Sequence, residues 1–203
     1  MFTLTEITSA LNATLNGADV KFTSCSTDTR QLQPQAIYVA LVGENFDGHD
    51  FIQQAQEKGA VAAIVSHNVE TSLPTLRVKN TRKALGDLAN LWRQRFDLPI
   101  IAITGSNGKT TTKEMLKAIF SQHSVLATKG NLNNEIGVPL TLFGLNSKHR
   151  YAIVEMGANH IGEIATLTKI TQPTCAIITQ CAPAHLEGFG SIAGVAQAKG
   201  EIF

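Results

Sequence analysis

Apolar and polar residues follow two different periods in the first 80 positions of the chain. From Leu4 to Leu15 the apolar residues recur at helical spacing, which predicts a first helix that Gly17 ends. Residues 20–30 alternate enough to predict a strand that runs into a polar turn. The other elements expected here are strands at 36–41, 60–65 and 75–78 and a helix over about 50–58. The first 80 residues are therefore predicted to form a small α/β domain.

A single helix is expected to follow over residues 81–98. Its apolar residues Leu85, Leu88, Trp92 and Phe96 lie on one helical face, and Pro99 cannot continue it. We expect this helix to connect the first domain to a second one over residues 99–203.

From residue 100 onward, continuous apolar runs alternate with helical segments. Such runs are typical of parallel strands that are covered on both faces of the sheet. The expected strands lie at 100–104, 125–128, 151–156 and 174–179, and the expected helices at about 109–121, 137–145, 161–170 and from about 191. The first of these helices is expected to turn Met115, Leu116, Ile119 and Phe120 toward the sheet. The predicted fold class is α/β, with a small N-terminal domain followed by an incomplete parallel-sheet domain.

Composition and charge narrow the classes of function. Hydrophobic residues make up 43% and charged residues 16% of the 203 residues, as in ordinary globular domains. The formal net charge is +1 and no basic stripe is present, which argues against nucleic acid as a partner. No apolar run approaches the ~20 residues that cross a bilayer, so membrane insertion is not expected.

The cysteines and the chain ends carry weaker expectations. Cys25, Cys175 and Cys181 form neither a C-x-x-C pair nor an even set, which suits a reducing cytoplasm, and we expect all three to be buried thiols. The N-terminus has no basic leader, so a signal peptide is not expected. The residues "AKGEIF" stop inside a helix, and we expect the chain to be part of a longer protein, inactive alone. A monomer is the expected state.

Residues 104–112, "TGSNGKTTT", lie between an apolar strand and an amphipathic helix. This context suits a phosphate-binding loop, because glycines let the backbone approach an anion and the first amides of a helix point at it. Lys109 would neutralise phosphate oxygens, and the Thr110 hydroxyl would bind Mg²⁺. The usual pattern has a glycine where this chain has Ile103, and a glycine-rich turn without a ligand is the alternative.

Two further side chains, Glu155 and His185, are expected at the same edge of the sheet, and a lysine of the last helix is a third candidate. Glu155 ends an apolar strand, where a carboxylate needs a partner or a metal ion. His185 follows the fourth strand in a glycine-rich loop, and Lys199 lies among small residues on the last helix. The alternatives are an exposed glutamate, a hydrogen-bonded structural histidine and a solvated surface lysine. His160 and Glu163 are expected in the first turn of a helix rather than as ligands.

The stretch "KGNLNNEIGVPLTLF" has three asparagines just before a predicted helix. Their amides suit a polar anionic ligand or simply cap the helix. The spacing leaves both interpretations open.

Together these stretches resemble the Mur ligase family, ATP-dependent amide-forming enzymes of peptidoglycan synthesis. "TGSNGKTTTKEM" is similar to the phosphate loop of that family, which has the short G-x-x-G-K-T spacing. The stretches similar to the member that joins D-alanyl-D-alanine to UDP-N-acetylmuramoyl-tripeptide are "GNLNNEIGVPLTL", "EMGANHIGEI" and "PAHLEGFGSIAGVAQAKGEIF". "STDTR" and "ALVGENFDGHDF" are similar to the uridine-nucleotide domain of that member.

The resemblance implies a role for each matching residue. Lys109 would hold the ATP phosphates, together with the amides of Gly105, Ser106, Asn107, Gly108, Lys109, Thr110 and Thr111. Thr110 and Glu155 would bind one Mg²⁺ and His185 a second, while Lys199 would take up CO₂ and face the metals as a carbamate. Lys109, His185 and Lys199 would be the catalytic residues. The expected substrate contacts are Thr27, Asp28, Arg30, Asn45, Asp47 and His49 for the UDP group, and Asn133 and Asn134 near the pyrophosphate.

The resemblance also implies the reaction and the domain roles. ATP would phosphorylate the peptide carboxylate, and the amine of D-alanyl-D-alanine would attack the resulting acyl phosphate. Residues 1–80 would be the UDP-substrate domain, 81–98 the connecting helix and 99–203 part of the central ATP-binding domain. The alternatives are another ligase of the same superfamily, such as a folylpolyglutamate synthetase, and a non-catalytic UDP-sugar or nucleotide binding module.

Overall fold

The computed structural model describes residues 2–203, which form two compact units. One unit ends at Leu88 and the other begins at Ala89, so the boundary lies inside the helix Thr81–Arg93. This helix ends five residues earlier than the 81–98 span that the sequence predicts. After Arg93, two short i→i+3 bonds, from the Arg95 and Phe96 amides, tighten the chain into a turn.

The first unit is a small α/β domain. Its elements in chain order are β1 (Phe2–Thr3), α1 (Leu4–Thr8), β2 (Thr14–Asn16), β3 (Lys21–Phe22), β4 (Ser24–Ser26), β5 (Ala36–Val39), a 3-10 helix (Gly48–Phe51), α2 (Ile52–Glu57), β6 (Ala62–Val65), β7 (Thr75–Arg77) and the start of α3 (Thr81–Arg93). Five strands form one sheet in the order β2-β7-β6-β5-β4, in which only β2 is antiparallel to its neighbour. Strands β1 and β3 pair separately.

Two predicted elements of this unit are wrong in extent. The first helix ends at Thr8, because Asn12 adopts a left-handed conformation with φ of 49° and turns the chain toward β2. The predicted strand over residues 20–30 is divided at Thr23, since β3 pairs with β1 whereas β4 pairs with β5. Apolar spacing alone does not reveal either change of direction.

The second unit is built on a parallel sheet. Its elements after α3 are β8 (Ile100–Thr104), α4 (Lys109–Ile119), β9 (Val125–Ala127), α5 (Gly137–Leu142), β10 (Tyr151–Glu155), α6 (Glu163–Thr171), β11 (Cys175–Ile178), α7 (Leu186–Phe189) and α8 (Ile192–Gly200). The strand order is β11-β8-β10-β9, and every pair is parallel. After β8 the chain forms β9 and β10 on one side of β8, and it then forms β11 on the other side. The strand order therefore reverses at β8, and ligands of such sheets bind at the carboxyl ends of the strands at this point.

Helix α4 turns a different face toward the sheet than predicted. Leu116 packs against the apolar sheet residues, whereas Met115 is 62% and Ile119 is 70% exposed. The inward position one turn before Leu116 is occupied by Lys113, which is 4% exposed. A helix cannot also turn Met115 and Ile119 inward, because they lie away from the stripe that contains Lys113 and Leu116.

The prediction that all three cysteines are buried is wrong. Cys175 and Cys181 are exposed, and Cys25 is half-buried. Burial raises the pKa of the Cys25 thiol. Within residues 2–203, none of the helices is both long and apolar enough to cross a membrane.

Candidate functional site: a phosphate loop and its neighbours

The loop between β8 and α4 has the backbone of a tight phosphate-binding turn. Gly105 and Gly108 have φ of 151° and 81°, values that residues with side chains rarely adopt. A Cβ on Gly105 would lie 1.9 Å from the hydroxyl oxygen of Thr179. The loop therefore needs glycine at position 105 for conformation and for space.

This phosphate loop is hydrogen-bonded to the loop that follows β11. The Ser106 amide donates to Gln180 O at 2.8 Å, and the Ser106 hydroxyl donates to Ala182 O at 2.8 Å and accepts from the Ala182 amide at 3.0 Å. The Thr179 hydroxyl donates to Asn107 O. The segment that leads to His185 is thereby fixed against the segment that leads to Lys109.

The amine of Lys109 lies over the phosphate loop. It donates a hydrogen bond to Gly105 O at 2.7 Å. Burial lowers the pKa of Lys109 below its usual range, although the charge of Glu155 acts in the opposite direction. An anion bound to the loop would meet the half-buried cation of Lys109.

Glu155 is buried at the end of β10, with 1% of its surface exposed. The Thr110 hydroxyl donates to its Oε2 at 3.2 Å, and the amine of Lys113 lies 3.0 Å from its Oε1. The Glu155 amide donates to the hydroxyl of Thr128 at 2.9 Å. Of the two alternatives for Glu155, the exposed glutamate is wrong, since the carboxylate is paired with a lysine and a threonine.

The donors at this point fit a magnesium ion. A threonine hydroxyl and a carboxylate oxygen are hard oxygen ligands, and Mg²⁺ commonly takes one or two carboxylates with waters and phosphate oxygens for the rest. Thr110 and Glu155 are already within hydrogen-bond distance of each other. They could hold such an ion without a large movement of either side chain.

A cavity of about 560 Å³ opens beside the phosphate loop. The predicted site residues that line it are Gly105, Ser106, Lys109, Asn133, Asn134, His185 and Lys199. Thr110 and Glu155 are outside this lining set, and they adjoin it through Lys109, the neighbour of Thr110 in the first turn of α4. Four separate segments of the second unit thus contribute predicted residues to one cavity.

Lys199 is not the solvated surface lysine that the alternative interpretation described. It is 3% exposed, and its amine lies 5.8 Å from the centre of the Phe189 ring. Burial lowers the pKa of Lys199, and the charge of Lys109 lowers it further. His185 is exposed, lines the cavity and has a left-handed backbone, with φ of 52°.

The asparagines and the acidic helix start have structural partners as well. The Asn134 side-chain oxygen accepts from the amides of Ile136 and Gly137 and caps α5. The backbone carbonyl of Asn133 accepts from the Gly157 amide. As predicted, Glu163 lies in the first turn of α6, where it accepts from the His160 ring and amide. His160 itself lies before the helix and not in its first turn as predicted.

In the first unit, the predicted uridine contacts follow the carboxyl ends of β4 and β5. Arg30 forms a two-pronged ion pair with Asp28, in which its Nε donates to Oδ1 at 2.9 Å and its terminal nitrogen donates to Oδ2 at 2.7 Å, and this pair lowers the pKa of that carboxyl. Burial, together with the charges of Asp28 and Asp47, raises the pKa of Tyr38 to about 12. Both carboxylates are therefore close to one tyrosine. Thr27 is half-buried and Asn45 is exposed.

His49 is a buried residue of the 3-10 helix rather than an open ligand contact. Its Nδ1 bonds to Asp47 and its Nε2 accepts from the Ser66 amide at 3.0 Å. The ring stacks on His67, with 3.9 Å between centroids. Asp47, His49 and His67 lie close enough to suggest a metal site, but both nitrogens of His49 are already used. His49 instead fixes the orientation of Asp47.

Lys113 is the site residue that sequence reasoning missed. A lysine that follows three threonines and precedes one glutamate on a helix has no pattern that indicates burial. The signal that could have found it was the carboxylate at the end of β10, which required a cation on a neighbouring element.

Two family models match the chain. "Mur ligase middle domain" matches residues 103–203 and "Mur ligase family, catalytic domain" matches residues 21–93. Among curated relatives, the UDP-N-acetylmuramoyl-tripeptide–D-alanyl-D-alanine ligase of Escherichia coli (strain K12) is 52% identical over 202 residues, covering 99% of this chain and 45% of the relative. The ligase of the same name from Bacillus subtilis (strain 168) is 40% identical over 181 residues, covering 87% of this chain and 40% of the relative.

Solved structures agree with these relatives. MurF from Acinetobacter baumannii superposes with a TM-score of 0.90 at 40% identity, over 99% of this chain and 46% of that one. MurF ligase from Thermotoga maritima in complex with ADP has a TM-score of 0.82 at 34% identity, over 88% and 42% of the two chains. The chain thus spans less than half the length of the relatives that it matches. By both of its units, the chain belongs to the Mur ligase family.

Proposed function

We propose that this chain is the substrate-binding and nucleotide-binding part of an ATP-dependent ligase that joins D-alanyl-D-alanine to UDP-N-acetylmuramoyl-tripeptide. The observation that carries this proposal is the single cavity lined by Lys109, His185 and Lys199 beside the phosphate loop. The names of the relatives indicate the substrates. The reaction belongs to peptidoglycan precursor synthesis.

ATP would bind with its phosphates on the loop from Gly105 to Thr111. The loop amides and the amine of Lys109 would replace the water that surrounds the phosphates in solution. The existing bond from Lys109 to Gly105 O holds the amine over the loop, so little reorganisation would be needed. An ADP complex of a similar enzyme supports this assignment.

Thr110 and Glu155 would hold one Mg²⁺, and His185 with Lys199 a second. Mg²⁺ would offset the repulsion between the phosphates and the peptide carboxylate. The lowered pKa of Lys199 favours the neutral amine, which is the form that reacts with CO₂ to give a carbamate. A carbamate would make Lys199 an anion suited to a metal.

The UDP group would bind to the first unit, over residues 1–80. We assign Thr27, Asp28, Arg30, Asn45 and Asp47 to this contact, with His49 positioning Asp47. Asn133 and Asn134 of the second unit would contact the substrate near its pyrophosphate. The region over 81–98 would connect this substrate domain to the partial ATP-binding domain over 99–203.

The chemistry follows from the weakness of a carboxylate as an electrophile. Transfer of the γ-phosphoryl group of ATP to the peptide carboxylate releases ADP and gives an acyl phosphate, which has a good leaving group. The amine of D-alanyl-D-alanine then attacks the acyl carbon, and phosphate departs as the amide forms. Lys109 and the loop amides would stabilise the negative charge on the phosphoryl group as it moves from ADP to the peptide carboxylate.

An assay of phosphate release by the full-length protein tests this function. Release should require ATP, UDP-N-acetylmuramoyl-tripeptide and D-alanyl-D-alanine together, and Lys109→Ala should reduce it at least about a hundredfold. Lys117→Ala, an exposed lysine on the same helix, is the matched control and should retain the rate. Unchanged turnover in Lys109→Ala would refute the proposal.

The two alternatives give different results in the same assay. A non-catalytic UDP-sugar module would bind the nucleotide sugar without releasing phosphate under any condition. Another ligase of the superfamily would release phosphate with a different amine, and the mass of the product would identify it. Since the three cysteines are unpaired, a reducing compartment such as the cytoplasm is the proposed location.

A further inference from the structure

Lys113 is a buried cation in the second unit for which the proposed reaction provides no role. Only 4% of its surface is exposed, although lysine is rarely buried without a partner. Its amine donates to Thr128 O at 3.0 Å and lies 3.0 Å from Glu155 Oε1 and 3.2 Å from Glu114 Oε1. Burial lowers the pKa of Lys113, but pairing with Glu155 and Glu114 outweighs it and the pKa is raised.

The two oxygens of Glu155 are divided between two partners. Oε1 faces Lys113, and Oε2 accepts from the hydroxyl of Thr110. Thr128 fixes both members of the pair, because its hydroxyl accepts from the Glu155 amide and its carbonyl accepts from Lys113. The carboxylate therefore has little freedom to rotate and exchange its oxygens.

A metal ion beside Thr110 would then meet only one oxygen of Glu155. Mg²⁺ is suited to such a site, because it prefers octahedral geometry with single oxygens from each carboxylate. Ca²⁺ takes six to eight oxygens and often binds both oxygens of a carboxylate. The ammonium of Lys113, 3.0 Å from Oε1, would compete with a metal ion for that oxygen and so disfavour this two-oxygen mode.

We propose that Lys113 restricts Glu155 to one metal-binding oxygen and so makes the nucleotide site prefer Mg²⁺ over Ca²⁺. The proposal rests on the proposed ATP site, and it adds metal selectivity to that site. Lys113 is a positioning residue, since it would contact neither the nucleotide nor the metal.

The test is the affinity of a non-hydrolysable ATP analogue, measured by titration calorimetry with Mg²⁺, with Ca²⁺ and with a chelator. The wild-type protein should bind the analogue more tightly with Mg²⁺ than with Ca²⁺. Lys113→Met removes the charge at nearly the same length, and it should reduce this ratio on the order of tenfold, as outer-shell changes commonly do. A ratio that stays constant while both affinities fall would overturn the proposal and leave a merely structural lysine.

Two variants separate charge from fold. Lys117→Met removes an exposed lysine of the same helix that also pairs with Glu114, and its ratio should equal that of the wild type. Lys113→Arg keeps the charge and should keep most of the preference for Mg²⁺. Loss of the preference in Lys117→Met, or in Lys113→Arg as fully as in Lys113→Met, would contradict the assigned role.

Infrared spectra decide the matter if Lys113→Met does not fold. With Mg²⁺ and the analogue bound, the wild-type minus Glu155→Gln difference should show the widely split carboxylate stretches of single-oxygen coordination. Narrowly split stretches, typical of two-oxygen coordination, would overturn the inference. Absence of analogue binding by the wild-type protein in every buffer would instead refute the proposed ATP site, so the two failures are distinguishable.

Discussion

At the scale of the residue, the second unit contains three charged side chains that are almost fully buried. Glu155, Lys113 and Lys199 are each almost fully buried, and each costs free energy to desolvate unless a partner compensates. Glu155 and Lys113 compensate one another, whereas the amine of Lys199 faces an aromatic ring and feels the charge of Lys109. A charge held without compensation is typical of a functional site.

Lys199 should therefore make the stability of the protein depend on pH. Its pKa is lower in the folded state than the value of 10.5 expected when unfolded, so between the two values the unfolded chain binds more protons. Stability contributed by this residue rises with pH across that window. We expect Lys199→Met to be more stable than the wild type at pH 7, with a difference that shrinks as pH approaches 10.5.

Urea unfolding of both proteins at pH 7 and pH 10 measures this difference. Subtraction of the two curves cancels the contributions of the lysines that do not interact with Lys199. A difference that stays the same or grows with pH would contradict the assignment. Lys117→Met serves as the control, because an exposed lysine should give a nearly constant difference.

At the scale of the element, two loops of the second unit are held together by hydrogen bonds. The loop after β8 and the loop after β11 are connected through the amide and hydroxyl of Ser106, which bond to the backbones of Gln180 and Ala182. Residues at the carboxyl ends of neighbouring parallel strands are close in any such sheet. The two hydrogen bonds of the Ser106 hydroxyl additionally fix the distance between the phosphate loop and the loop after β11, which contains His185.

Removal of that hydroxyl should loosen the His185 loop. Ser106→Ala loses both side-chain bonds to Ala182, which we expect to cost about 1–2 kcal/mol of unfolding free energy. The Ala182 amide, left without its acceptor, should exchange with deuterium faster. Ser106→Thr retains the hydroxyl and should preserve the protection, and equal exchange in Ser106→Ala and wild type would show that the bond contributes nothing.

Much of the second unit could be predicted from the sequence, because long apolar runs specify parallel strands directly. The strand over 100–104 has the predicted bounds, and the helix at Lys109 begins where the glycine pattern indicates. The first helix could not be bounded, since its end depends on one left-handed asparagine, Asn12. Lys113 could not be found, because burial of a lysine depends on which partner the fold brings to it. Lys109 and His185 are expected together because both follow parallel strands whose carboxyl ends share one edge, whereas the place of Lys199 is expected only from the resemblance to the family.

At the scale of the whole molecule, the candidate residues divide between two compact units. The uridine candidates lie in the unit that ends at Leu88, and the phosphate loop lies in the unit that begins at Ala89. Each family model also matches within a separate stretch, residues 21–93 or 103–203. Different ligands should therefore protect different stretches of the chain.

Hydrogen exchange with each ligand alone tests this division. The ATP analogue with Mg²⁺ should protect amides of residues 104–112 and 180–185, and UDP-N-acetylmuramoyl-tripeptide should protect residues 27–49 first. Asp28→Asn should weaken the second effect and leave the first unchanged. Protection of residues 27–49 by the ATP analogue alone would place the nucleotide in the wrong unit.

Exposed thiols lie at the start of β11 and in the loop that follows it. Cys175 begins the strand, and Cys181 follows it between the two residues whose backbones bond to Ser106. These two exposed thiols could therefore be labelled with fluorescent dyes without the introduction of new cysteines. A dye on Cys181 would sense the arrival of ATP, and a dye on Cys175, at the opposite edge of the sheet, would serve as an internal blank. Nucleotide binding could be followed optically after a single cysteine is removed.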